Sequence, residues 1–201
     1  SESPSSVGHV PNGRWEFDES VTKCFDDMLW RSIPDYMHMR SLVYEMGKRA
    51  FDGGQRGLVV DVGCSTGGAL SPFADAGHEC LGLEVSEPMR RAAAERYASR
   101  PNVRIVGCDL RSEWPVKPDS ARLVQSVLTL QFVPVERRPR ILRNVRDSLV
   151  DGGMLILVEK VMSDDADAQD VLVDAYHAMK RAHGYSAEDI EAKRLALEGV
   201  L

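Results

Sequence analysis

The sequence predicts an α/β fold in which a mainly parallel sheet carries helices on both faces. Three features predict it. From residue 58 onward, short β-rich runs alternate with amphipathic segments. The runs are nearly continuously apolar, as strands covered on both faces must be. Glycine-rich turns punctuate the alternation. At 201 residues, 43% hydrophobic and 28% charged, the chain has the size and composition of one ordinary domain. That excludes a disordered, collagen-like or disulfide-stapled chain for its bulk.

Residues 1–14 are rich in Ser, Pro and Gly and read as a disordered arm. Residues 15–57 read as a helical lid. Its first helix, about Asp18–Trp30, sets Val21, Phe25, Met28 and Leu29 at helical spacing. Its second starts at Pro34, a favoured first position, and aligns Met39, Leu42, Val43, Met46 and Ala50 until Gly53-Gly54 ends it. Residues 58–201 hold the sheet. Leu58–Val62 is the first strand, followed by a glycine-rich turn and a short helix that Pro72 starts or kinks. Strand Glu79–Val85 precedes a helix over Pro88–Ala98, and strands Val103–Cys108 and Arg122–Leu128 follow. A helix from about Glu136 to Leu149 stops at Gly152-Gly153, which lead into a fifth strand, Met154–Lys160. Two helices close the chain, about Asp164–His183 and Ser186–Gly199, the last capped by Ser186 with Glu188 and Asp189 in its first turn.

The 25 Lys and Arg against 31 Asp and Glu leave a net charge of −6, which argues against a broad nucleic-acid footprint. Arg137, Arg138, Arg140, Arg143 and Arg146 give one helix a basic side, read here as a solvated face in preference to an RNA or phosphate contact. No apolar run approaches the roughly 18–20 residues of a membrane span, and no secretory leader is legible. Cys24, Cys64, Cys80 and Cys108 form no CxxC pair. These features read as a cytoplasmic chain with reduced thiols and no membrane partner. His177 and His183 miss the i, i+4 spacing of a helical metal pair, so no metal is expected.

The informative segment is Val59-Val60-Asp61-Val62-Gly63-Cys64-Ser65-Thr66-Gly67-Gly68. In an open parallel sheet, ligands sit beyond the carboxyl ends of the strands, where strand order reverses. Glycines in the first turn let backbone approach a ligand. The spacing is not the G-x-G-x-x-G of a dinucleotide site, because Ser65 holds the middle position, and no Walker lysine follows. Glu84 ends the second strand, where a carboxylate can accept both ribose hydroxyls of a nucleoside. Asp109 ends the third. Read blandly, Gly63 and Gly67 only make a tight turn, and Glu84 and Asp109 are solvated strand-end acids. Asp61 reads as an anchor of the turn backbone.

Turn and acids together resemble the acidic-G-x-G-x-G site of class I S-adenosylmethionine methyltransferases, a Rossmann-like fold, with one glycine replaced. That fold ordinarily adds a closing antiparallel hairpin, yet nothing after Lys160 reads as strand, so its C-terminal strands are missing from this reading. Either the sheet is abbreviated or the natural chain continues beyond Leu201. A second nucleotide remains the alternative ligand. Further segments resemble the carboxy-S-adenosylmethionine synthase family. They are Phe17-Asp18-Glu19-Ser20-Val21, Arg31-Ser32-Ile33-Pro34-Asp35-Tyr36, Leu128-Thr129-Leu130-Gln131-Phe132, Gly152-Gly153 with Glu159-Lys160, and Lys180-Arg181-Ala182-His183-Gly184-Tyr185-Ser186.

This second resemblance implies S-adenosylmethionine, S-adenosylhomocysteine or carboxy-S-adenosylmethionine as the bound nucleoside. It assigns Tyr36 to the methionine carboxylate end and Gly63, Cys64, Ser65 and Gly67 to the turn. Glu84 and Val85, and Asp109 and Leu110, would flank ribose and adenine. Val127 stands where the family has asparagine. The resemblance implies transfer of the sulfonium-borne one-carbon group to a small-molecule acceptor. A carboxy-S-adenosylmethionine synthase using prephenate is the alternative, and a cofactor-binding subunit without its own turnover is a third reading. A homodimer is compatible with each. No His–acid or Cys–His spacing marks a catalytic base.

Overall fold

The computed structural model describes residues 15–198; the arm expected over residues 1–14 lies outside them. These residues fall into two compact units. Residues 39–159 form one, and residues 15–38 with 160–198 form the other. The lid expected over 15–57 is therefore divided within its second helix. The physical reason is that Val43, Ala50 and Phe51 belong to the sheet's own core cluster. No helix among the described residues is long and apolar enough to cross a membrane.

In the larger unit, five parallel strands stand in the order β3-β2-β1-β4-β5: β1 Leu58–Val62, β2 Glu79–Glu84, β3 Val103–Gly107, β4 Ala121–Val127 and β5 Leu149–Val158. The crossovers are α3 (Ser71–Asp75), α4 (Glu87–Arg96) and α5 (Arg138–Ser148). Strand alternation divides the core. Val60, Val62, Leu81, Leu83 and Val124 pack with Ile141 and Val145 of α5 on one face. Val59, Cys80, Leu123 and Ile156 pack with Leu70 and Phe73 on the other. Every second residue thus serves the same layer, as the pleat requires. Strand order reverses at β1, between its neighbours β2 and β4, which puts the crevice of an open α/β sheet at the carboxyl ends of β1 and β4.

Two expectations need correction here. Gly152-Gly153 do not separate helix from strand: α5 ends at Ser148 and β5 begins at once with Leu149. Pairing shifts from Ala121↔Leu149 to Leu123↔Met154, so residues 150–153 bulge out of register, with Gly152 at φ 71°. Glycine supplies the left-handed conformation the bulge needs. Nor does Pro34 open a helix. Asp35 adopts φ 47°, and α2 starts one residue later, over Tyr36–Gly47.

In the smaller unit, α1 (Glu19–Ser32) is capped by the Asp18 carboxylate, which accepts the Val21 N–H at 2.8 Å. It buries Val21, Phe25 and Met28. α6 (Ala166–Ala182) and α7 (Ala187–Leu197) follow the sheet in sequence; α7 carries the expected Ser186 cap as a full capping box with Asp189. Arg31 joins the helices through its guanidinium, which donates to the His183 carbonyl at 3.4 Å, while the Trp15 N–H donates to Ala196 at 3.0 Å. No strand follows β5 among the described residues.

Candidate active site

The turn after β1 is held by the strand beside it. Gly63 and Cys64 N–H groups both donate to the Leu83 carbonyl at 2.9 Å, and the Gly67 N–H closes the turn on the Cys64 carbonyl at 2.7 Å. Gly63, Ser65 and Gly67 have φ values of 72°, 50° and 80°. The left-handed conformation therefore persists at Ser65, although serine has replaced glycine. Two of these positions also admit no side chain: a Cβ on Gly63 would lie 2.6 Å from Thr129 Oγ1, and one on Gly67 2.7 Å from Tyr97 Cε2.

Glu84 is only 7% exposed, so it is not a solvated strand-end acid. Its carboxylate oxygens accept the Ser65 N–H and the Ser86 N–H, each at 2.8 Å. Burial raises its pKa, and the backbone N–H groups of Ser86, Ser65 and Val85, with Arg90, oppose that rise. An ionised carboxylate offers about four acceptor positions, so capacity remains for a ligand. Asp109 is placed differently. Its side chain is 33% exposed and makes a bidentate pair with Arg111, with Nε–Oδ1 and Nη2–Oδ2 both 2.8 Å. That pair lowers its pKa, and the Arg111 N–H assists.

Asp61 does not anchor the turn. It is 2% exposed, its Oδ2 has no hydrogen-bond partner, and the turn's N–H groups go to Leu83, Glu84 and Cys64. Burial pushes its pKa up to about 7, with Arg40 pulling the other way. Across the β1–β4 pairing lies Gln125, sealed like Asp61, whose side chain also pulls the Asp61 pKa down; Ser126, next along β4, belongs to the opposite face of the sheet and its Oγ is unpartnered. Asp61 and Gln125 thus form a sealed polar pair across β1 and β4, on one face of the sheet.

The remaining expected residues have different settings. Cys64 is buried, and burial pushes its thiol pKa up, so it packs and does not react. Val85 is 60% exposed just beyond β2, Leu110 is buried in the core cluster, and Val127 ends β4 opposite Val158. Tyr36 belongs to the other unit, where it lines a cavity of about 240 Å³ with Trp30, Ile33, Met37 and His183. Among the described residues no group of three or more His, Cys, Asp or Glu could hold a metal.

Several residues that hold the site were not legible beforehand. Tyr97 donates its hydroxyl to the Gly67 carbonyl and pairs with Ser71 at 2.8 Å; Arg40 donates to the Gly68 carbonyl. Glu159 accepts the Leu130 and Gln131 N–H groups at 2.8 and 3.0 Å, fixing the loop after β4. Glu159 and Leu128–Phe132 both stand out in the sequence, but nothing there signals their contact. On α5, Arg138 donates to the Val133 and Gln131 carbonyls and Arg146 pairs with Asp147, which ties two of the five arginines into local structure.

Known proteins bear directly on this site. Residues 59–153 match the methyltransferase domain family. Relatives from Mannheimia succiniciproducens and Nitratiruptor sp. are 34% and 38% identical, each over 94% of this chain and over 79% and 78% of their own lengths; both are named carboxy-S-adenosyl-L-methionine synthase. The chain belongs to the carboxy-S-adenosyl-L-methionine synthase family. It is an enzyme of the methyltransferase class. Solved structures support the fold: a methyltransferase from Methanococcus maripaludis, described as dependent on S-adenosyl-L-methionine, aligns with TM-score 0.59 at 18% identity, over 96% of this chain and 88% of that one. Haemonchus contortus phosphoethanolamine N-methyltransferase 2, in complex with S-adenosyl-L-methionine, aligns with TM-score 0.60 at 18% identity, over 92% and 42%.

Proposed function

We propose that the chain binds S-adenosylmethionine at the turn after β1 and converts it to carboxy-S-adenosylmethionine. The observation that carries the binding is Glu84: a buried carboxylate at the end of β2, anchored by two N–H groups and left with acceptor capacity toward the crevice. Family membership at 34–38% identity carries the reaction. S-adenosylmethionine supplies a sulfonium-activated one-carbon group. This chain's residues bind and orient it. Glu84 accepts the ribose hydroxyls, Asp109 accepts the adenine amino group beside its pair with Arg111, and Gly63 and Gly67 let backbone approach. Val85 and Leu110 border the base. Asp61, with its orphaned oxygen, provides the negative charge that a cationic amino-acid end requires, and Tyr36 serves the carboxylate end of the same group. In this reaction the sulfonium keeps its carbon: a methyl C–H bond is exchanged for a C–C bond to the carbon dioxide unit that prephenate loses. The methyl proton leaves with prephenate's hydroxyl as water, so orienting the two reactants and excluding bulk water are the main tasks of the chain.

Val127 favours a second reading. An asparagine would offer an amide where this chain has a hydrocarbon, so plain methyl transfer to a small acceptor competes with handling of an extra carboxylate. Incubation with S-adenosylmethionine and prephenate, followed by mass spectrometry of the nucleoside, separates the two. The expected product is S-adenosylmethionine heavier by the mass of carbon dioxide, a carboxyl group having replaced one methyl hydrogen. An unaltered nucleoside with prephenate, together with S-adenosylhomocysteine on addition of a methyl acceptor, would decide for methyl transfer.

A further inference from the structure

The C-terminal helices gather cations that the proposed reaction does not use. Lys180, in the last turn of α6, and Lys193, in α7, are 6% and 3% exposed. Desolvating an ammonium is costly unless a carboxylate or several acceptors replace the lost water. Among the described residues neither lysine has a carboxylate partner. Lys193 Nζ donates to Tyr185 Oη at 2.9 Å and lies 4.3 Å from the centre of that ring. Lys180 Nζ has only ring faces, Tyr176 at 4.6 Å and Tyr185 at 5.8 Å. Lys160 Nζ adds a third positive charge 5.6 Å from the Tyr176 ring.

Aromatic faces offset part of the repulsion through their quadrupoles, but they carry no formal charge. Lys180 responds as an unneutralised cation does. Burial, then Lys193, then Lys160, lower its pKa to about 8. Lys180 Nζ makes no hydrogen bond among the described residues, so its donors remain available to an acceptor. Tyr185 is itself fixed, with its hydroxyl 3.1 Å from Ser32 Oγ while accepting from Lys193. The Tyr185 ring thus faces both ammonium groups, and Tyr176 gives Lys180 a second face.

We infer that Lys180 and Lys193, walled by Tyr176 and Tyr185, form a binding site for a compact oxyanion, a carboxylate or a phosphate. The site uses none of the residues assigned to the nucleoside and stands whether or not that assignment holds. Calorimetric titration of the purified full chain with inorganic phosphate and, separately, with succinate tests it, with sodium chloride keeping ionic strength constant. Saturable binding of one or both is expected, and the anion that binds identifies the group. Lys180→Met and Lys193→Met, which keep an unbranched apolar stem, should each weaken that binding at least tenfold. In chloride alone, Lys180→Met should raise the thermal midpoint, because like-charge repulsion is relieved. Binding of neither anion, or equal binding by both variants, would overturn the inference. So would a lowered midpoint for Lys180→Met in chloride, which would mean the ammonium is kept for its ring contacts.

Discussion

Burial holds the Asp61 carboxyl at about 7 although Arg40 opposes the rise. Folded protein therefore keeps a proton that the unfolded chain has lost between about pH 4 and 7. Stability contributed by this group falls as pH rises through that window, and Asp61→Asn should remove the fall. Three pKa units correspond to about 4 kcal/mol, so a gain of about 2–4 kcal/mol for Asp61→Asn at pH 8, read by urea denaturation, is expected. Equal pH profiles for the two proteins would refute the assignment. Because only the ionised form attracts a cation, nucleoside affinity should rise through pH 7 in the wild type and stay level in the variant. Asp61 itself stood out in the sequence as the acid before Gly63. Its burial beside Gln125 did not, because that depends on how β4 and the turn N–H groups are placed around it across three strands.

At the scale of elements, the β1 turn and the loop after β4 are set by different kinds of information. Gly63, Ser65 and Gly67 are local signals: their backbone demands are written into residue type, and two of the three are glycine. Gly63→Ala combines a left-handed strain with a collision against Thr129 and should cost about 2–4 kcal/mol. The Leu128–Phe132 loop instead depends on Glu159, distant in sequence. Glu159→Ala strands two N–H groups and should cost about 1–3 kcal/mol, with faster amide exchange at Leu130 and Gln131 as the specific readout. Leu149–Val158 was misread at its start for a related reason. A Gly-Gly pair ends helices more often than it interrupts strands, and only the pairing with Ala121 reveals the bulge.

At the scale of the whole molecule, strand–helix alternation fixed the architecture, since near-continuous apolar runs leave no alternative to a sheet covered on both faces. The division at His38 was not legible, because a helix that continues unbroken through Met39 gives no sign of which residues feed which core. In the proposed site, the acid that anchors the first turn is also the acid that grips the nucleoside. Calorimetry of S-adenosylmethionine binding to the wild type, Glu84→Gln and Glu84→Ala tests it most directly, with circular dichroism establishing that each is folded. Glu84→Ala is expected to weaken binding by about 1.5–3 kcal/mol, and Glu84→Gln by less, since one acceptor oxygen survives. Wild-type affinity in a folded Glu84→Ala protein would contradict it.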